Sequence, residues 1–139
     1  MSLRPFHLAF PVNDLEAARK FYCDVLGCTV GRSASRWIDL NFMGHQITAH
    51  LVDDAPTDAA HNAVDKKAVP IPHFGLVLNM PQWEEAAERL KSLSVDFIIK
   101  PTMRFKGKPG EQATMFFRDP AGNAIELKGV ADEGKLFAS

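Results

Sequence analysis

A seven-residue segment occurs twice in the chain, as HLAFPVN at residues 7–13 and as HFGLVLN at residues 73–79. Each copy opens with a histidine and closes with an asparagine six positions later. Each is followed by a segment with paired alanines and an arginine, AAR at 17–19 and AAER at 86–89. Within each copy the apolar residues alternate with the histidine position, as in a strand with one buried face. The repeat therefore predicts two similar modules, each with a strand, a helix and one histidine.

The rest of the pattern completes the modules. Helices are predicted from Asn13 or Asp14 to Gly27 and from Pro81 to Ser94, because a cap or a proline precedes apolar residues at helical spacing. Strands are predicted at 6–12, 36–42, 46–52, 72–78, 96–101, 112–118 and 124–130. Each half then reads roughly βαβββ, with one strand fewer in the first half. The fold class is α+β, with two βαβββ modules forming a curved mixed sheet cup and the helices on its outer face.

The chain is interpreted as one domain over residues 1–139. Module one covers about 4–52 and module two about 71–131. Between them, residues 53–70 are rich in Asp, Ala and Pro and are predicted to be a linker.

Bulk composition excludes several classes of partner. A formal net charge of −1 argues against nucleic acid, because phosphate binding needs a basic surface. No apolar run approaches the roughly 20 residues of a membrane span, and the N-terminus lacks the apolar core of a signal peptide. We therefore expect a cytoplasmic protein with a small-molecule substrate. Cys23 and Cys28 are expected to be reduced thiols, since their spacing fits no common redox or zinc motif.

Alternation along the strands places four potential metal ligands on polar strand faces: His7, His50, His73 and Glu126. Two imidazoles and one carboxylate are the ligand set of non-haem Fe(II) oxygenases, which leave positions open for substrate and O₂. The same donors also suit Zn, Ni or Mn acting as a Lewis acid. The sequence thus predicts a divalent metal site that suits Fe(II), Zn, Ni or Mn.

Three longer stretches resemble a known superfamily. They are DLEAARKFYCDVLGC at 14–28, PHFGLVL at 72–78 and FFRDPAGNAIELKG at 116–129. Together they resemble the vicinal oxygen chelate superfamily, which contains glyoxalase I, extradiol ring-cleaving dioxygenases and bleomycin resistance proteins. The segments at 37–51 and 104–120 are similar to a small single-domain branch described as extradiol-type dioxygenases. The resemblance covers nearly the whole chain and implies paired βαβββ modules around a divalent metal.

The resemblance also implies roles for individual residues. His7, His73 and Glu126 match the three metal ligands of the extradiol dioxygenases. His50 lies near the position of a fourth ligand in glyoxalase I. It is interpreted either as that ligand, which suits an isomerase or lyase, or as an acid/base beside the metal, which suits an oxygenase.

Other side chains are weaker candidates for contact with a substrate. One group alternates with the apolar residues of the strand at 36–42, and the other lies in or beside a basic loop at 104–110. This loop is interpreted either as a solvated loop or as a lid that holds an anionic oxygen of the substrate. These candidates are Trp37, Asp39, Asn41, Arg104, Phe105 and Gln112.

Three functions follow from the sequence. The first is an Fe(II) extradiol-type dioxygenase that cleaves a vicinal diol or catechol-like small molecule. The second is a glyoxalase-like, metal-dependent isomerase or lyase. The third is a metal-free drug-binding resistance protein, which the presence of both histidines and the glutamate disfavours. The resemblance also implies a homodimer, with the site built either within one chain or across two.

Overall fold

The structure, a computed structural model, describes residues 3–53, 60–64, 67–108 and 110–137. In these ranges the strands are β1 (His7–Val12), β2 (Thr29–Ala34), β3 (Trp37–Phe42), β4 (His45–Leu51), β5 (Ala60–Val64), β6 (Lys67–Ile71), β7 (His73–Asn79), β8 (Phe97–Arg104), β9 (Gln112–Arg118) and β10 (Ala124–Val130). The helices are α1 (Leu15–Lys20), which continues as a π-helical turn over Phe21–Val25, α2 (Met80–Ser92) and a 3₁₀ turn at Glu133–Lys135.

Eight of the ten described strands form two four-stranded sheets with the same topology. One has the order β1-β4-β3-β2 and the other β7-β10-β9-β8. In each sheet the first strand pairs in parallel with the last strand of its module, and the other pairings are antiparallel. The α+β class and the two βαβββ modules are therefore confirmed. Among the described helices, none is both long and apolar enough to span a membrane.

The chain divides into two compact units. The first comprises residues 1–58 with 119–123, and the second comprises 59–118 with 124–139. The predicted linker at 53–70 lies partly outside the described residues. Its described part contains β5, which pairs with β6 as an antiparallel hairpin.

In the first unit α1 covers the apolar face of its sheet. The Asp14 carboxylate caps the helix by accepting a hydrogen bond from the Ala17 N–H at 3.0 Å. Tyr22 is fully buried, and its ring centroid lies 5.3 Å from that of Phe10 on β1. Because successive strand residues face opposite sides, His7 and Ala9 lie on the face away from this core.

In the second unit α2 packs closely on β10. Asn79 and Gln82 form a reciprocal capping box at the start of the helix. The Trp83 indole Nε1 donates to the Leu127 carbonyl at 3.0 Å, and a Cβ on Gly129 would lie 2.8 Å from Trp83. Leu127 and Gly129 thus face the helix. Glu126 lies one position before Leu127, so its side chain faces the opposite side of the sheet.

Strand β2 was missed by the sequence analysis. All six of its residues, from Thr29 to Ala34, are exposed, and the strand lies at the edge of its sheet. It therefore lacks the apolar alternation on which strand prediction depends. Strand β8 also extends further than predicted, because Arg104 is its last residue rather than part of the loop.

The turn after β9 is built around the Asp119 carboxylate. Its Oδ1 accepts from the N–H groups of Ala121 and Asn123 at 2.9 and 2.8 Å. Its Oδ2 accepts from the Tyr22 hydroxyl at 2.7 Å and from Asn123 Nδ2 at 2.9 Å. Four donors on one buried carboxylate explain why this turn needs aspartate at its first position and asparagine at its last.

Alkaline pH is expected to destabilise the fold through two buried acids. Burial raises the pKa of the Cys28 thiol from 9.0 to about 12, and burial together with the Asp119 carboxylate raises the pKa of Tyr22 well above 10.0. Both groups ionise more readily in the unfolded chain. The contribution of Cys28 to the free energy of unfolding is therefore fully present below about pH 9 and is lost as the pH rises through about 12, and that of Tyr22 begins to decline above about pH 10. Urea unfolding at stepped pH measures this loss. In Cys28→Ala the decline should begin near pH 10 instead.

Candidate metal and substrate site

His73 and Glu126 form a close pair on the polar face of the second sheet. His73 opens β7, and Glu126 lies in the middle of β10, the neighbouring strand. The His73 Nε2 lies 3.2 Å from Glu126 Oε1. Glu126 is only 9% exposed, and among the described residues His73 is the one basic side chain within 4.0 Å of its carboxylate. The sheet thus holds a buried carboxylate with a single imidazole partner.

Both ring nitrogens of His73 face oxygens that only accept hydrogen bonds. Its Nδ1 lies 2.9 Å from the Pro70 carbonyl oxygen, and its Nε2 faces the Glu126 carboxylate. A neutral imidazole has one N–H, so it can serve only one of these oxygens. When the Pro70 carbonyl takes that hydrogen, the Nε2 lone pair points at a carboxylate. Either a second proton on the ring or a metal cation between Nε2 and Glu126 Oε1 satisfies both oxygens.

This donor set fits a divalent metal. A metal-binding histidine commonly donates its other N–H to a backbone carbonyl, as His73 does to Pro70, and this orients the ring. Imidazole nitrogen and carboxylate oxygen are accepted by Fe(II), Zn, Ni and Mn. Within the described parts of the chain no cluster of three or more His, Cys, Asp or Glu side chains could hold a metal. His73 and Glu126 are thus two of the three predicted ligands, and the third, His7, belongs to the first unit.

Thr114 fixes the second oxygen of the glutamate. Its hydroxyl donates to Glu126 Oε2 at 2.6 Å from the neighbouring strand β9. The His73 ring also packs edge-on against Phe116, with centroids 5.0 Å apart. Thr114 and Phe116 thus hold the side chains of Glu126 and His73 in place.

Replacing Thr114 with valine is expected to weaken metal binding by about tenfold, because partners of a metal ligand typically contribute 10–100-fold to affinity. The variant keeps the shape of the side chain but removes the donor to Glu126 Oε2. Competition with a chromophoric chelator measures the affinity. Thr114→Ser, which keeps the hydroxyl, is the matched control, and equal loss in both variants would count against this role.

The pair opens into a cavity within the second unit. Its volume is about 390 Å³. Its wall includes both members of the pair and two of the predicted substrate-contact residues, Arg104 and Gln112. Phe105 does not line it; its exposed ring lies beneath the Arg104 guanidinium, 5.5 Å away. The size suits a small molecule.

The polar face of the first sheet carries His7 near one end and His50 near the other. In the β1–β4 register His7 lies opposite Gln46, whereas His50 lies opposite Pro11. His50 lies four positions after Gln46 on β4, which is about 13 Å along the strand. Since side chains stand roughly perpendicular to a sheet, His7 and His50 of one module do not reach the same ion. Gln46, and not His50, is the immediate neighbour of His7.

The predicted substrate walls on β3 make local contacts. Asp39 Oδ1 accepts from the Thr48 hydroxyl at 2.7 Å, and Asn41 Oδ1 accepts from the Gly44 N–H at 2.7 Å. Asn41 therefore shapes the turn to β4. Trp37 is partly buried and lies opposite His50 in the register.

Several site residues were not identified by the sequence analysis. The contact of Thr114 with Glu126 was missed because alternation within β9 does not show which residues of β10 lie beside it. That requires the register between the two strands. Lys128 and Lys135 also line the cavity. Lys128 could have been found, because it lies two positions after Glu126 and therefore shares its face.

Comparison with known proteins identifies the family. A family model described as the Glyoxalase/Bleomycin resistance protein/Dioxygenase superfamily matches residues 4–127. A glyoxalase/bleomycin resistance protein/dioxygenase from Alicyclobacillus acidocaldarius is similar in structure, with 29% identity, a TM-score of 0.76 and 96% of each chain covered.

A fosfomycin resistance protein, FosX, from Listeria monocytogenes has the same fold. It is 20% identical with a TM-score of 0.70, and the match covers 98% of this chain and 100% of FosX. A second FosX structure, complexed with Mn(II) and a sulfate ion, is 18% identical with a TM-score of 0.65, covering 98% of this chain and 97% of that one. The topology, the His73–Glu126 pair and the family match over residues 4–127 agree: the chain belongs to the glyoxalase/bleomycin resistance/dioxygenase superfamily.

Proposed function

We propose that the chain is a metal-dependent enzyme, an Fe(II) extradiol-type dioxygenase acting on a small vicinal diol. His7, His73 and Glu126 would hold the metal. The observation that carries the proposal is the His73–Glu126 contact, in which Nε2 and Oε1 lie 3.2 Å apart while Nδ1 lies 2.9 Å from the Pro70 carbonyl oxygen. Superfamily members bind divalent metals, as the Mn(II) complex of FosX illustrates.

The residues around the metal have separable tasks. The Pro70 carbonyl keeps the His73 hydrogen on Nδ1, so that Nε2 stays available as a ligand. The Thr114 hydroxyl holds Glu126 Oε2, so that Oε1 is the oxygen that faces His73. Iron, when bound, supplies Lewis acidity toward a chelating diol and the electrons that O₂ activation needs. The Phe116 ring, packed against His73, excludes water from one side of the pair.

We assign His50 to proton transfer rather than to metal binding. Its imidazole is exposed on the same sheet face as His7, and its distance along the strands suits an acid/base that serves the substrate. This argues against the isomerase or lyase alternative in the form that needs His50 as a fourth ligand. A homodimer belongs to the proposal as well, since members of the superfamily often form dimers.

Isotope labelling distinguishes the proposed reaction from its rivals. Protein reconstituted anaerobically with Fe(II) is mixed with catechol under ¹⁸O₂, and the product is analysed by mass spectrometry. Ring cleavage inserts both atoms of O₂, so we expect a product heavier than catechol by both labelled atoms, and its loss in His73→Ala.

Other outcomes point elsewhere. A product with the mass of its substrate, formed with Ni or Zn on an α-hydroxycarbonyl compound or hemithioacetal and without O₂, would indicate the isomerase. A protein that binds no metal, and whose ligand binding is unchanged in His7→Ala, would be a drug-binding protein. Either result would overturn the proposal that the chain is a dioxygenase.

A further inference from the structure

Two lysines line the cavity beside the His73–Glu126 pair. Lys128 follows Glu126 by two positions on β10 and lies on the same face of the sheet. Lys135 lines the same cavity from the 3₁₀ turn near the end of the chain. Within the described ranges neither ammonium group lies within 4.0 Å of a carboxylate. Both therefore keep their donors available to a ligand.

The acidic residues nearby are already engaged. Glu111 Oε2 accepts from the Gly107 N–H at 3.0 Å, and Asp132 Oδ1 accepts from the Gly134 N–H at 2.9 Å. Both carboxylates line the cavity, but each shapes its own backbone turn. Among the described residues of the cavity wall, two lysines thus have no carboxylate within 4.0 Å, and the wall also contains the buried carboxylate of Glu126.

The distance along β10 from Glu126 to Lys128 is comparable to the length of a small molecule. Two residues of strand place the Cα of Lys128 about 7 Å from that of Glu126. Arg104 adds a third cation to the wall and pairs in register with Gln112, whose amide is a further donor. A ligand held at His73 and Glu126 therefore has ammonium groups within reach of its far end.

We propose that the substrate carries an anionic group, a carboxylate or a phosphate, which Lys128 and Lys135 bind while the diol lies at the His73–Glu126 end. This inference rests on the proposed function for the diol end only. An anion held by two ammonium groups fixes which way round the substrate enters. It also makes a neutral diol a poor substrate, because charge-assisted hydrogen bonds to both lysines are lost.

Matched probes test the proposal. Catechol and 3,4-dihydroxybenzoate share the same diol, and only the second carries a carboxylate. Their binding to Mn(II)-loaded protein is measured anaerobically by calorimetry. We expect 3,4-dihydroxybenzoate to bind at least about tenfold more tightly, in line with hydrogen bonds to charged groups.

Variants locate the effect. In the Lys128→Gln, Lys135→Gln double variant the preference for 3,4-dihydroxybenzoate should vanish, while catechol binding stays unchanged. Lys91→Gln, on the exposed face of α2, should keep the preference. Lys128→Arg in a chain with Lys135 intact should retain most of it. Acetate and inorganic phosphate are then compared as competitors, and the stronger identifies the anionic group as carboxylate or phosphate.

A metal-independent arm separates this proposal from the proposed function. Inorganic phosphate is titrated into metal-free protein while the amide signals of Gln112 and Lys128 are followed by NMR. Shifts that saturate in the wild type and disappear in the double variant support the anion site even if neither diol binds. Equal affinity for the two diols in the wild type, or a preference that survives in the double variant, would overturn it, as would the absence of phosphate shifts.

Discussion

Glu126→Gln is expected to lower the affinity for a divalent metal by more than about 100-fold. Loss of a residue that only supports a ligand typically costs 10–100-fold, so loss of the ligand itself should cost more. The amide has nearly the same shape but no charge, and its NH₂ group cannot coordinate. Affinity is measured by competition against a chromophoric chelator, with Zn(II) and Mn(II) in turn.

A matched control is available in the same cavity. Glu111→Gln makes the same chemical change in another residue of the cavity wall and retains an oxygen that can accept from the Gly107 N–H. Its metal affinity should stay within about twofold of the wild type, because the Glu111 carboxylate bonds its own turn and is not a predicted ligand. If both variants lose affinity equally, the effect is one of overall charge and Glu126 is not a ligand.

Gly75→Ala is expected to damage both stability and the site. Gly75 on β7 lies opposite Glu126 in the register, and a Cβ at this position would lie 1.5 Å from the Glu126 carbonyl oxygen. The atoms nearest to this Cβ are all backbone atoms of Glu126, and no flexible side chain can move aside instead. Strand β10 must therefore shift at Glu126 itself. We expect the free energy of unfolding to fall by at least about 2 kcal/mol, as for severe overpacking. Urea denaturation measures the change.

The site should suffer beyond the loss of stability. Because the displaced atoms belong to Glu126, the folded fraction of Gly75→Ala should bind metal at least about tenfold more weakly, as when the support of a ligand is lost. Gly31→Ala in β2 is the control, since its Cβ would meet Asp39 at an ordinary 3.5 Å. Wild-type stability and metal affinity in Gly75→Ala would contradict the close approach of the two strands.

Much of the fold was predictable because apolar residues on the buried face of a strand alternate in the sequence with polar residues on its other face. β9 and β10 were predicted with their observed ends, since each alternates between core and cavity and a strong turn separates them. β2 was not predictable, because it is exposed along its whole length. Apolar alternation in a sequence reflects the burial of one strand face, and a fully exposed edge strand does not show it.

The candidate site divides in the same way. Parity was sufficient to place Glu126 on a polar face, and the repeat was sufficient to single out His73. Partners such as Pro70 and Thr114 depend on register and on backbone direction, which alternation does not encode. The distance between His7 and His50 likewise follows only from the β1–β4 register.

The central claim is that His73 and Glu126 hold a divalent metal. Anomalous diffraction from crystals of the protein grown with Zn(II) tests it most directly. We expect a metal peak about 2.0–2.1 Å from His73 Nε2 and about 2.0–2.2 Å from a Glu126 carboxylate oxygen, with a His7 imidazole as the third protein ligand. A structure in which Zn(II) binds elsewhere, while His73 Nε2 and Glu126 Oε1 remain in direct contact, would contradict the claim.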